Sequence, residues 1–214
     1  MIADLEDYIE AHISPEPSLL KKIDRQTNLR YINGRMCSGH IQGRLLKMLV
    51  AMANPKRVIE LGTFTGYSAL CIAEALEEDA TIDTVEIDDE MADVIQNNFD
   101  ASPHGKKIRL HIADALEFME SRQDNEYDMA LIDADKRSYA DYFKGILRII
   151  KPGGFIIADN TLWDGHVTEH GPHSSQTAGI IEFNDLVASY PGIEVAIIPI
   201  RDGITIIRKL PTKP

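Results

Sequence analysis

Cysteine is scarce: only Cys37 and Cys71 occur in 214 residues. That is too few for a disulfide framework and suits a reducing compartment. Positive charge is also in deficit, with 22 Lys plus Arg against 34 Asp plus Glu and a net charge of −12. This balance excludes broad electrostatic binding to nucleic acid or to an anionic membrane. No apolar run approaches the ~20 residues that a membrane-spanning helix needs. The opening MIADLEDYIEAH is acidic where a secretory signal is basic and then apolar. Internal repeats, low-complexity tracts and linkers are lacking too. What remains is 44% hydrophobic and 26% charged residues, enough for a full core in one domain. A cytoplasmic protein forming a single domain over 1–214 is expected.

The first 50 or so residues carry helical spacing. Leu5, Tyr8, Ile9 and His12 form one stripe, and Pro15 and Pro17 then interrupt. Leu19, Leu20 and Ile23 mark a second amphipathic stretch, and Ile41, Leu45, Leu46, Met48 and Leu49 a third. From Val58 short apolar runs alternate with helical patterns. The runs cover 58–61, 81–86, 108–112, 129–132 and 155–158, with helices expected around 67–78, 90–100, 114–121 and 138–150. This alternation predicts βαβ units in a parallel sheet covered on both faces. Pro152-Gly153-Gly154 is expected to end the fourth of these helices. A polar loop over 163–179 and a helix near 180–189 follow. Two last strands, 195–198 and 204–208, flank the turn Arg201-Asp202-Gly203 and predict an antiparallel hairpin at the sheet edge. The expected fold is therefore α/β: a Rossmann-like, seven-stranded, mostly parallel sheet with an antiparallel last strand. A helical extension occupies 1–52 and the α/β core 53–214.

The first strand runs into Glu60-Leu61-Gly62-Thr63-Phe64-Thr65-Gly66 and opens a helix. Glycines there let the backbone approach a ligand at the carboxyl ends of the strands. A dinucleotide turn needs bare backbone against its pyrophosphate, yet the middle glycine position is Phe64 and an acid, Glu60, precedes it. A carboxylate repels a pyrophosphate and attracts a sulfonium or amine. Glu86 closes the second strand, where an acid accepts hydrogen bonds from ribose hydroxyls. A ribose-bearing, cationic, phosphate-free cofactor fits, and S-adenosylmethionine is such a molecule.

The fourth run ends in Asp133-Ala134-Asp135-Lys136 and the fifth in Asp159-Asn160. Asp133, Asp159 and Asn160 offer hard oxygen ligands suited to Mg²⁺, Mn²⁺ or Ca²⁺. The same residue types also cap helices, and spacing leaves both readings open. Lys136 lies one helical turn from Asp133 and can take a proton if burial or an ion depresses its pKa.

Taken together, the phrases VIELGTFTGYSAL (58–70), VEIDDE (85–90), LIDADKRSY (131–139), KPGGFIIADNTLWDG (151–165) and RDGIT (201–205) resemble the metal-dependent class I O-methyltransferases, the group of caffeoyl-CoA and catechol O-methyltransferases. The resemblance spans about Met36 to Arg208. It implies that Glu60, Gly62 and Ser68 line the methionine part of S-adenosylmethionine, with Glu86 on the ribose and Asp114 and Ala115 near the adenine. Met36 and Ser38 match a segment that reaches the cofactor. Asp133, Asp159 and Asn160 match the metal ligands, with Asp133 also beside the cofactor. Lys136 matches the general base, and Trp163 and Asp202 match acceptor contacts. The family's phrase has Gln where this chain has Arg44. The resemblance further implies methylation of a vicinal dihydroxy aromatic, a phenolic small-molecule acceptor, assisted by a divalent ion such as Mg²⁺, and a homodimer.

Other residues carry plainer readings. His166, His170 and His173 sit on the polar loop without cysteine partners, which fits a solvated lid better than zinc. Cys37 and Cys71 read as packing residues, and Tyr139, Tyr142 and Phe143, at helical spacing, as core and interface rather than chemistry. Trp163 either stacks on an aromatic acceptor or pins the lid. The rival functions are a same-fold methyltransferase with a non-catechol acceptor and no metal, a nicotinamide oxidoreductase, and a non-catalytic cofactor binder.

Overall fold

A computed structural model of the protein describes residues 3–211; the first two and last three positions of the expected 1–214 domain lie outside the described residues. Three helices come first: α1 (Ala3–His12), α2 (Ser18–Arg30) and α3 (Gly39–Ala53). Then β1 (Arg57–Leu61), α4 (Tyr67–Ala75), β2 (Thr81–Glu86), α5 (Ala92–Asp100), β3 (Ile108–Ile112), α6 (Ala115–Glu120), β4 (Tyr127–Ile132), α7 (Tyr139–Ile149) and β5 (Ile150–Asp159) alternate. The chain closes with α8 (Ser175–Ser189), β6 (Ile193–Ile198) and β7 (Ile204–Lys209). The strands form one seven-stranded sheet in the order β3-β2-β1-β4-β5-β7-β6, with helices on both sides. β7 runs antiparallel to both β5 and β6. It therefore lies inside the hairpin, and β6 forms the edge. Among the described residues no helix is long and apolar enough to cross a membrane.

Two compact units divide the described residues, 3–56 with Thr63–Ile112 and Arg57–Gly62 with 113–211. In the first, α4 is buried along most of its length, including Leu70, Cys71 and Ile72, and packs on α3 through the close approach at Gly43. The α3 stripe differs from the expected one. Met48 is exposed, whereas Gln42 and Arg44 are buried. Arg44 tolerates burial because its guanidinium meets Glu74 of α4 at 2.8 Å. Leu5 and Tyr8 of α1 remain exposed.

In the second unit β1 pairs in parallel with β4 from Val58↔Met129 to Leu61↔Ile132, and β4 with β5. Apolar residues occupy both faces of β1 and β4, as strands covered on both sides require. β5 starts earlier than expected: Ile150 already pairs with Tyr127, and Pro152-Gly153-Gly154 forms an irregularity within the strand, not a loop before it. α8 also starts earlier, because the Ser174 hydroxyl accepts from Thr177 N at 3.1 Å and caps it. Gly179, which resembles a loop residue in sequence, lies inside α8, where a Cβ would strike the Lys136 carbonyl. The helix needs glycine to approach that segment.

Candidate active site

The strand order reverses between β1 and β4, the place where open α/β sheets bind ligands at carboxyl ends. The Asp133 N–H donates to the Leu61 carbonyl at 2.9 Å, closing the two strand ends. Gly62 has φ +91°, and a Cβ there would collide with the Asp133 carbonyl. Only glycine fits that turn. Glu60, at the end of β1, is 0% exposed.

The turn after Gly62 belongs to the first unit. Its positive-φ non-glycine residue, Phe64 at φ +51°, is held by Glu86. One Glu86 oxygen accepts from Thr63 N (3.1 Å) and Phe64 N (2.8 Å), and the other from Ile87 N (2.9 Å) and Asp88 N (3.0 Å). The carboxylate expected to take a ribose thus also anchors the turn. Thr63 and Thr84 hydroxyls meet at 2.6 Å, and Asn98 Nδ2 donates to the Thr65 carbonyl at 2.9 Å. Ser68 is buried in the first turn of α4. Ser38 is buried just before α3, while Met36 is exposed.

In the second unit Asp114 caps α6, accepting from Leu116 N at 2.8 Å and Glu117 N at 3.1 Å, and Ala115 is buried behind it. Near the ends of β4 and β5 the structure brings Asp133, Lys136, Tyr139 and Asp159 together. Lys136 Nζ donates to Asp133 Oδ1 at 2.8 Å and to the Tyr139 hydroxyl at 2.6 Å. That hydroxyl in turn lies 3.0 Å from the Asp159 carbonyl. Asn160, at φ +57°, donates its N–H to Asp159 Oδ1 at 2.8 Å, and its amide reaches Asp202 Oδ2 at 3.4 Å. Capping of the segment after β4 falls to Asp135, which accepts from Arg137 N at 3.2 Å. Asp133 is therefore not needed as a cap there. Thr161, Leu162 and Trp163 donate backbone N–H groups to the Asp202 and Gly203 carbonyls, which fixes the half-buried Trp163 and Asp202 against each other.

Burial alone pulls the Lys136 pKa down, but the charges of Asp133 and Asp159 and the Tyr139 hydroxyl outweigh it, and the pKa ends well above the ordinary lysine value. The depression anticipated for a base is thus opposite to what the chain alone produces. Burial likewise raises the Tyr139 phenol, against the lowering pull of Lys136. Sequence periodicity placed Tyr139 in the core, which is correct for its ring; its hydroxyl is a site group that periodicity missed. The available signal was its position three residues after Lys136, one helical turn on.

Among the described residues no group of three or more His, Cys, Asp or Glu stands together as a metal-holding set. The loop histidines are exposed, and His166 pairs with Glu169 at 2.8 Å. The donors near the β4 and β5 ends, two carboxylates and one amide, are all hard oxygens, which fits a Mg²⁺-type ion in chemistry. A depression of about 580 Å³ on α7 and α8, lined by Lys144, His173, Glu182 and Asp185, lies apart from this set.

The fold is that of a Rossmann-like α/β protein whose strand order reverses between β1 and β4. The family model of the O-methyltransferases matches residues 10–210, and the chain belongs to that family. It is 38% identical over 216 residues to an Arabidopsis thaliana protein named as a candidate caffeoyl-CoA O-methyltransferase, covering 96% of this chain and 93% of the relative. Caffeoyl-CoA O-methyltransferase of Petroselinum crispum is 31% identical, with 96% and 90% covered. Among solved structures, SAH-bound methyltransferase PaMTH1 of Podospora anserina superposes with TM-score 0.86 at 25% identity, covering 98% of this chain and 97% of that one. The oxidoreductase reading falls with these findings.

Proposed function

We propose that this protein transfers the methyl group of S-adenosylmethionine to a hydroxyl of a vicinal dihydroxy aromatic, with a divalent cation, Mg²⁺ in the first instance. The observation that carries the reading is the convergence of Asp133, Lys136, Tyr139 and Asp159 near the ends of β4 and β5, with Asn160 beside them. The relatives' names support a caffeoyl-type, catechol-bearing acceptor, and the SAH-bound relative supports the cofactor.

In this reading Glu86 holds the ribose, and Met36, Ser38, Gly62, Ser68, Asp114 and Ala115 line the rest of the cofactor. Glu60 supplies buried negative charge that favours a sulfonium over a phosphate. Asp133, Asp159 and Asn160 hold the ion, which when bound lowers the pKa of an acceptor hydroxyl. Lys136 as the ammonium donates a hydrogen bond to the phenolate oxygen. With Asp133 and Asp159 holding Lys136 charged, the acceptor proton leaves to solvent; a neutral Lys136 would take it directly. Trp163 and Asp202 contact the acceptor ring. The oxygen attacks the methyl carbon in line with the departing sulfur. We include a homodimer in the proposal, tested by sedimentation.

One observation favours a second reading, a metal-free O-methyltransferase: the Lys136 ammonium already neutralises Asp133. Methyl transfer from labelled S-adenosylmethionine to a catechol panel, with Mg²⁺ or with chelator, separates the two. We expect turnover that needs the ion and falls by about 100-fold or more in Asp159→Ala. Chelator-insensitive turnover supports the second reading, and cofactor binding without turnover on any catechol overturns the acceptor assignment.

A further inference from the structure

Tyr139 opens α7 with its ring fully buried, edge-on to Phe183 at 5.5 Å and tilted against Tyr142 at 6.4 Å. Those ring contacts ask only for a phenyl group. A hydroxyl carried into such a place costs free energy unless it is bonded. This one accepts from Lys136 Nζ at 2.6 Å, and its single hydrogen faces the Asp159 carbonyl at 3.0 Å and the Ile132 carbonyl at 3.2 Å. Ile132 precedes Asp133 in the chain. One oxygen atom therefore ties the backbone at both strand ends to the lysine that serves them.

We propose that Tyr139 is a positioning residue for methyl transfer, its hydroxyl setting the place of the Lys136 ammonium relative to the ends of β4 and β5. This rests on the methyl-transfer reading above. Tyr139→Phe keeps the ring packing and removes only the tie. Lys136 retains Asp133 but loses its second anchor, and the carbonyls of Ile132 and Asp159 lose a donor. A group misplaced by a fraction of an ångström affects the reacting geometry and leaves substrate affinity nearly unchanged.

Two measurements test this. In steady state, Tyr139→Phe is expected to lower kcat by about 10–100-fold, with KM for cofactor and catechol within about two-fold of the original. On a Lys136→Met background the same change is expected to have no further effect on kcat, because a residue acting through Lys136 has nothing left to position. Independently of activity, the rate of Lys136 reductive methylation, read by peptide mass spectrometry, is expected to rise several-fold in Tyr139→Phe while that of the exposed Lys144 stays constant. An unchanged kcat, a loss that persists on the Lys136→Met background, or an unchanged labelling rate each overturns the proposal. If the original protein transfers no methyl group to any catechol, the functional reading fails instead, and the labelling rate alone still decides whether Tyr139 holds Lys136. Should Tyr139→Phe not fold, Tyr139→Leu, which also lacks the hydroxyl and adds no volume to the fully buried position, is read by the same labelling.

Discussion

At the scale of single residues, partners settle what side-chain type leaves open. Cys71 is fully buried, and burial pushes its thiol up to about 12 despite the Arg44 guanidinium 4.0 Å away. It should resist iodoacetamide at pH 8 in the native protein and react only after unfolding, as mass spectrometry of the labelled peptide will show. Glu74 has the opposite balance: burial raises its pKa, but hydrogen bonds from Arg44 and Lys47 outweigh burial and hold it low. Glu74→Ala leaves the Arg44 charge buried without its carboxylate, and urea denaturation should register a loss of about 2–4 kcal/mol. Neither partnership is legible in sequence, since Arg44 and Glu74 are 30 residues apart and nothing in a helical stripe names a cross-helix partner. Tyr139 shows the same limit: spacing reveals the face a residue takes, not which atom its hydroxyl touches.

At the scale of elements, the alternation of short apolar runs with helical patterns was enough to read the order of the α/β core. The run at 81–86 coincides with β2, where β-branched Thr81, Ile82, Thr84 and Val85 favour a strand, and the one at 108–112 with β3, where Ile108, Leu110 and Ile112 alternate with Arg109 and His111. The starts of β5 and α8 were less visible. Pro-Gly-Gly conceals a strand that resumes in register, and Gly179 disguises a helix whose glycine is there for a neighbour. Gly179→Ala should therefore be worse than its helix propensity suggests, since alanine favours helices by about 1 kcal/mol over glycine. The added methyl meets the Lys136 carbonyl and pushes α8 off the segment that carries the candidate base. We expect a net loss of about 1–3 kcal/mol in urea together with reduced turnover; a stabilised variant would show that α8 can shift freely.

At the scale of the whole molecule, the titrating groups bound a stability plateau. Glu74 has a lowered folded pKa, so its contribution is present above the unfolded carboxylate value of about 4 and is lost as pH falls through the folded value. Cys71 is raised, so its contribution is complete below the unfolded thiol value of about 8.5 and is lost as pH rises towards the folded one. Urea midpoints should thus be flat from about pH 5 to 8 and decline on both sides. Cys71→Ala should flatten the alkaline limb, and an unchanged limb would assign it to other groups. The excess of acids, −12 in formal charge, adds self-repulsion above the isoelectric point that salt should relieve.

The carboxylate of Glu86 has a consequence for anyone who would redesign this protein. In nucleotide-binding sheets the acid at the end of the second strand meets the ribose, so replacing it is the direct way to alter cofactor preference. Here the same side chain is the fastener of the glycine turn, taking four backbone N–H groups. Even Glu86→Gln points an amide at donors and strands some of them. A designer who alters ligand choice at this position dismantles the cradle first, so any successful retargeting must begin by giving Phe64 and its neighbours another acceptor.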